Sequence, residues 1–247
     1  MAVLPMCFLL RPAFLAAALV TAAIPVARAV DVRPVDVQLV LAVDSSSSVD
    51  MDEYYLQLEG YARAFTNPEL WDAIRGGTHG AIAGTLFEWA GPRRQEINFP
   101  WRVLDSAAAL VAFAEELAVA PRLVIGGETA LGDALAYGVA LAETAPGGPA
   151  RRVIDVSGDG QSNRGRPVAG ARAEALARGI MVNGLAVANE EPDLEDYYRL
   201  NVIGGAGAFV LAARDYADFA DVILRKLVRE VRNLAAAPTG APEATEP

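Results

Sequence analysis

Val37-Gln38-Leu39-Val40-Leu41-Ala42-Val43-Asp44-Ser45-Ser46-Ser47-Ser48 decides the fold. From Val37 to Val43 the chain is almost continuously apolar, the pattern of a parallel strand buried on both faces. That run ends abruptly in an aspartate and four serines, so hard oxygen atoms are delivered at the carboxyl end of a buried strand. Asp50, with Glu53 three residues on, has the form of a capping box opening a helix that runs through about Phe65. Strand, polar turn and capped helix together make a βα unit.

Working outward, the same alternation continues to Leu234. Ala81–Ala90 and Glu96–Trp101 flank Gly91-Pro92-Arg93-Arg94, a hairpin that puts one antiparallel strand at the sheet edge. Ser106–Ala118 and Leu131–Glu143 have helical apolar spacing. Val153–Ser157 reads as a strand, Pro167–Arg178 as a helix stopped by Gly179, and Ile180–Val187 (IMVNGLAV) as another buried strand. Leu194–Leu200 is a short helix and Ala208–Ala212 a strand. Tyr216–Leu234 is a long helix whose basic second half suits its dipole. The expectation is an α/β fold: a doubly wound, mostly parallel six-stranded sheet with one antiparallel edge strand and helices on both faces. No repeat and no linker-like break interrupts it, so residues 30–234 read as one domain.

The two ends read differently. Arg11 precedes an apolar run, Phe14 to Val26, closed by Ala27-Arg28-Ala29, which describes a secretory signal peptide over residues 1–29. The run is shorter than a membrane-spanning helix requires, and Pro12 and Pro25 bracket it. A retained anchor and a start at Met6 are the alternatives. Cleavage after Ala29 leaves no integral membrane segment and removes Cys7, the only cysteine of the chain. The mature protein then has no disulfide, thiol nucleophile or thiolate metal site, and is expected in the periplasm or outside a bacterial cell. Residues 235–247 are proline-rich, acidic and aperiodic, as in a disordered tail.

The whole chain has 247 residues, 53% hydrophobic and 21% charged, too apolar for a disordered protein and too charged for a polytopic membrane protein. With 21 Lys+Arg against 31 Asp+Glu its net charge is −10, which excludes the basic stripe that nucleic acid requires. The acidic residues Asp193, Glu195, Asp196, Asp215, Asp218 and Asp221 read as solvated helix faces.

Three loops carry candidate ligands. Extended residues alternate sides, so Asp44, Ser46 and Ser48 can converge on one point while Ser45 and Ser47 point away. One carboxylate and two hydroxyls form a hard half-shell suited to Mg²⁺ or Mn²⁺; a serine-rich turn that only caps the next helix is the alternative. Thr129, in Gly126-Gly127-Glu128-Thr129 before the helix at Leu131, is a third hydroxyl or a plain N-cap. Asp159, between Gly158 and Gly160 after the strand at Val153, is a ligand or an ordinary turn aspartate. Each is weak alone; their order along the βα pattern makes the joint signal.

Asp44-x-Ser46-x-Ser48, then Thr129, then Asp159-Gly160, resembles the metal-ion-dependent adhesion site of the von Willebrand factor type A domain. Gly179-Ile180 with Val182 to Val187 is similar to the strand after the third ligand in that family. Glu88-Trp89-Ala90-Gly91, Pro100-Trp101 and Val153 to Gly160 further resemble a bacterial exported branch of unassigned function. The resemblance covers roughly Val35 to Leu234 and implies a Rossmann-like, non-enzymatic module binding a divalent ion, Mg²⁺ or else Mn²⁺ or Ca²⁺. It also implies that Asp44, Ser46, Ser48 and Thr129 lie in or near the ligand shell, with Asp159 acting through water.

Enzymatic readings are thin. His79, the one histidine, sits in a Gly76-Gly77-Thr78-His79-Gly80 turn, and no G-x-S-x-G elbow accompanies any serine. A P-loop and a G-x-G-x-x-G fingerprint after the first strand are missing, and zinc is disfavoured by one histidine and no mature cysteine. Asp155, polar inside an apolar strand, either braces the metal loops through a neighbouring loop or faces a helix N-terminus. Two functions follow. One is an exported adhesion or scaffold module whose protein partner supplies an Asp or Glu carboxylate to the ion. The other is a metal-dependent hydrolase, for which Glu128 is the one spare carboxylate able to act as base. An ion that only stabilises the fold is a third possibility.

Overall fold

The computed structural model describes residues 33–232. The expected signal peptide (1–29) and tail (235–247) lie outside the described residues. In chain order the elements are β1 Val37–Asp44, α1 Met51–Thr66, α2 Pro68–Arg75, β2 Ile82–Trp89, β3 Gln95–Leu104, α3 Ala107–Leu117 and α4 Leu131–Glu143. They continue with β4 Arg151–Gly158, α5 Val168–Ala177, β5 Ile180–Val187, α6 Leu194–Tyr197, a π-helical turn Tyr198–Val202, β6 Val210–Ala213 and α7 Phe219–Arg232.

The strands form one sheet in the order β3-β2-β1-β4-β5-β6, parallel throughout except for the antiparallel β2–β3 hairpin at one edge. This is the expected doubly wound, six-stranded arrangement. Central β1 is buried along its whole length and pairs with β2 and β4, which is why its sequence does not alternate. One face packs Leu39, Leu41, Val43, Val153 and Leu185 against α1, α2, α3 and α7. The other packs Val40, Ala42, Ile154 and Val156 against α4, α5 and α6. Chain order reverses direction across the sheet between β1 and β4, and the crevice for a ligand opens beyond their carboxyl ends.

Local chemistry explains most boundaries. Asp50 accepts from the Glu53 N–H and Glu53 accepts from the Asp50 N–H, both at 2.9 Å, a complete capping box for α1. Ser106 caps α3 through the Ala109 N–H. Sequence reading passed over α2, although Asn67 caps it through the Glu69 N–H and Pro68 opens its first turn. The expected helix Leu194–Leu200 ends in the π-helical turn instead of continuing as an α-helix.

Asp155 does neither of the things expected of it. It is fully buried and ion-paired with Lys226 of α7, whose ammonium also meets Glu230 at 2.6 Å. Asn183 of β5 donates to Glu230 at 3.1 Å, and burial first, then Asp155, pushes the Glu230 carboxyl up to about 7. Lys226 is therefore a core residue of α7. Among the described residues, no helix is long and apolar enough to cross a membrane.

Candidate metal centre at the sheet crevice

Beyond β1 the backbone does not stay extended as expected: Ser46 to Val49 form a turn, closed by the Val49 N–H on the Ser46 carbonyl at 3.2 Å, and the turn gathers the alternate side chains. The Ser46 N–H donates to Asp44 Oδ1 at 2.8 Å, Ser46 Oγ lies 3.1 Å from Ser48 Oγ, and Ser48 donates to Asp159 Oδ1 at 2.6 Å. Four of the five expected residues thus form one connected cluster. Ser45 and Ser47 turn away: Ser45 donates to the Val124 carbonyl at 2.6 Å, and Ser47 accepts from the Gly127 N–H at 2.7 Å.

Thr129 stands on the far side of the Asp159-Gly160 turn. A Cβ placed on Gly160 would lie 4.0 Å from Thr129 Oγ1 and 3.6 Å from Glu191 Oε1. Its hydroxyl is not a helix cap, since Ala130 occupies the N-cap of α4 without a side-chain bond. The Thr129 backbone is held by Asn163, which accepts its N–H at 3.0 Å and donates its own N–H to the Thr129 carbonyl at 2.9 Å. That leaves the hydroxyl available to face the turn.

The electrostatics of this cluster are incomplete on their own. Asp44 is fully buried and Asp159 nearly so, yet Asp44 Oδ2 and Asp159 Oδ2 accept no hydrogen bond. Burial, followed by the charge of Asp159, pushes the Asp44 carboxyl up to about 7, and burial also raises Asp159. Tyr198 and Tyr216 face the pair, and burial first, then carboxylate charge, holds both phenols protonated. A Cβ on Gly158 would meet both Asp44 Oδ2 and Tyr198 Oη at 2.7 Å, so glycine is needed there to keep the cradle open. Two buried carboxylates with unpartnered oxygens, beside three hydroxyls, are a donor set that fits a hard divalent cation. No cluster of three or more His, Cys, Asp or Glu ligands occurs among the described residues.

A second tier of residues escaped the sequence reading. Glu88, buried in β2, accepts from Tyr54 Oη at 2.6 Å, from the Leu123 N–H at 2.9 Å and from the Val124 N–H at 2.6 Å, and also from Asn98. Arg122 sends its guanidinium to the carbonyls of Ser45, Ser46, Val49 and Val124 at 2.8, 3.2, 2.9 and 2.9 Å, with its plane 5.3 Å from the Tyr54 ring centroid. Together they tie the long α3–α4 connection to the first ligand loop. A charged residue inside an apolar strand was the available signal for Glu88; Arg122 had none, because its acceptors are backbone carbonyls and the Ser45 hydroxyl, which mark no partner along the chain.

Two residues weighed for catalysis stand elsewhere. Glu128 is exposed and turned toward Arg164 at 3.6 Å. His79 is exposed, its backbone N–H bonded to Asp36.

The model of the family described as protein of unknown function (DUF1194) matches residues 34–235. No curated protein matches the chain. Among solved structures, proximal thread matrix protein 1 from the mussel byssus aligns with TM-score 0.57 and 16% identity over 81% of this chain and 48% of that one. A second structure of the mussel protein, with a zinc-occupied metal-ion-dependent adhesion motif, aligns with TM-score 0.55 and 18% identity over 81% and 47%. A von Willebrand factor type A protein from Catenulispora acidiphila gives TM-score 0.56 and 18% identity over 81% and 43%. The conserved hypothetical protein BatB from Bacteroides thetaiotaomicron gives 0.52 and 17% over 79% and 98%. The chain spans about half the length of the mussel protein, and these likenesses establish the von Willebrand factor type A fold.

Proposed function

The chain belongs to the family described as protein of unknown function (DUF1194), and from that membership and its von Willebrand factor type A fold we propose an exported, non-enzymatic binding module that engages a protein partner through a divalent cation. Asp44, Ser46, Ser48, Thr129 and Asp159 would hold the ion, Mg²⁺ or Mn²⁺ by their oxygen chemistry and Ca²⁺ as a further candidate. The observation that carries the reading is the pair of buried carboxylate oxygens, Asp44 Oδ2 and Asp159 Oδ2, with no hydrogen-bond partner. When bound, the ion supplies positive charge and coordination positions for an external oxygen ligand.

This chain's own part is to fix the donors. Gly158 keeps the cradle open, Arg122 pins the first ligand loop, and Asn163 holds Thr129 beside the Asp159 turn. The partner would contribute an Asp or Glu, whose approach to an acidic protein depends on the cation. Residues 1–29 as a signal peptide, 30–234 as the binding domain and 235–247 as a tail complete the proposal, with the periplasm or cell exterior as its place. The mussel protein's zinc-occupied motif supports the metal. The hydrolase reading loses the base that the sequence offered, since Glu128 turns toward Arg164.

The test is isothermal calorimetry with Mg²⁺ and Mn²⁺, followed by capture of partners from envelope extract with Mg²⁺ or with EDTA. Binding of the ion lost in Asp44→Ala, and capture lost in EDTA and in Thr129→Ala, are expected. Capture indifferent to EDTA, to Asp44→Ala and to Thr129→Ala would overturn the proposal.

A further inference from the structure

The α3–α4 connection has an unusual face. From Val119 to Ile125 it runs without helix or strand pairing, and its side chains alternate. Ala120 and Val124 are buried and Arg122 turns inward, whereas Val119, Leu123 and Ile125 are 80%, 46% and 68% exposed, with Pro121 exposed between them. The inward set is firmly anchored: Glu88 takes the N–H groups of Leu123 and Val124, and Arg122 grips the first ligand loop. Apolar side chains held outward on a fixed backbone lose little freedom when something covers them.

The strip leads directly to the metal cluster. Beyond Ile125, Gly127 exchanges two hydrogen bonds with Ser47, at 2.7 and 3.0 Å, and Thr129 follows. From Val119 to Leu123 the strip itself lines one wall of a hollow of about 340 Å³, whose other walls include Asn98, Phe99 and Glu116. Charge differs between the two sides of the cluster. On the strip side Arg94 donates to the Ile125 carbonyl at 3.0 Å and Arg93 is exposed beside it. On the other side lies a cleft of about 500 Å³ lined by Glu190, Glu191 and Asp193.

We infer that the exposed strip Val119–Pro121–Leu123–Ile125 is the docking track for the partner that supplies the carboxylate, and that this partner carries aliphatic or aromatic side chains beside that carboxylate. The inference rests on the metal-dependent reading above and names the partner's chemistry. Continuity of the strip with the ligand loops sets where the apolar residues must fall. Arg93 and Arg94 accommodate an acidic segment on that side, and the Glu190–Asp193 cleft repels one on the other, so the segment has one favoured direction.

The probe is an array of synthetic peptides with a central Asp, each flanking position varied through all amino acids, read with the full chain in Mg²⁺. Wild type should bind best with Leu, Ile, Val or Phe at flanking positions on one side only. Leu123→Ser/Ile125→Ser, both surface changes, should weaken those peptides roughly tenfold or more while leaving the Mg²⁺-induced rise in Tm intact. A Mg²⁺ response absent in wild type would sink the metal reading itself. With that response present, a flat flank preference, or one unchanged in the double variant, overturns the docking track. So does a wild-type dimer that the double variant converts to monomer in sedimentation, or strip-dependent binding to vesicles of neutral and anionic phospholipid.

Discussion

Replacing Asp44 by Asn should stabilise the protein without metal and abolish its further stabilisation by metal. Burial and the neighbouring Asp159 push the Asp44 carboxyl from 3.8 up to about 7. At about 1.36 kcal/mol per pKa unit, the ionised form at pH 8 carries a penalty of up to about 4 kcal/mol in the folded state. Asn keeps an oxygen to accept the Ser46 N–H, and its amide imperfectly placed against Asp159 and Tyr198 returns about 1 kcal/mol or more. The net gain in EDTA is about 1–3 kcal/mol, which for a domain of this size raises Tm by roughly 2–12 °C. Mg²⁺ at ~100 times its Kd should stabilise wild type by about 2.7 kcal/mol, a rise of roughly 5–11 °C, and should leave Asp44→Asn unmoved. Differential scanning calorimetry at pH 8, with EDTA and with Mg²⁺, reads all four values. A variant that melts lower than wild type in EDTA and keeps the Mg²⁺ increment would refute the reasoning.

Ser47→Ala removes the bond from the Gly127 N–H and should lower Tm by a few degrees, about 1 kcal/mol, yet leave the Mg²⁺ increment at its wild-type size in the same calorimeter. Gly132→Ala forces a Cβ to within 2.1 Å of the Arg166 carbonyl oxygen, and urea titration should show a loss of about 1–3 kcal/mol. Glu230 is raised to about 7, so the folded state keeps its proton where the unfolded chain has lost it. Its contribution is present below about 4.5 and is lost as pH rises through about 7. Between pH 5 and 8 the Tm of Glu230→Gln should therefore climb relative to wild type, whereas a constant difference across that range would contradict the assignment.

Much of the architecture was legible because it is locally determined. The apolar run Val37–Val43, broken only by Gln38, had the pattern of a strand covered on both sides, and Asp50 with Glu53 fixed the start of α1. The spacing of Asp44, Ser46 and Ser48 pointed to one shared site, although a turn at Ser46–Val49, not extended alternation, brings them together. What escaped depends on partners far away in sequence. Asp155 announced a need for a counter-charge, but nothing along the chain marks Lys226, 71 positions on, as the residue that turns inward to meet it. The same holds for Glu88, whose partners come from α1, β3 and an unpaired connection. Helix α2 is a different case: Asn67-Pro68-Glu69 is a readable start, overlooked because the helix has only eight residues.

The placement of β1 has a mechanical consequence. It is the middle strand of the sheet, paired in parallel register from Val37 to Asp44 with β2 and from Val37 to Val43 with β4. Its far end is Asp44, in the cluster with Ser46, Ser48 and Asp159, and its near end leads back to Arg33. Tension applied between a ligand at the cluster and the chain before Val37 therefore runs along the strand axis. The ladder bonds on both sides lie across that axis, so they share the load in shear and must yield together instead of opening one after another from an end. A pull on the short edge strand β6, paired on one side over four residues, meets no such resistance.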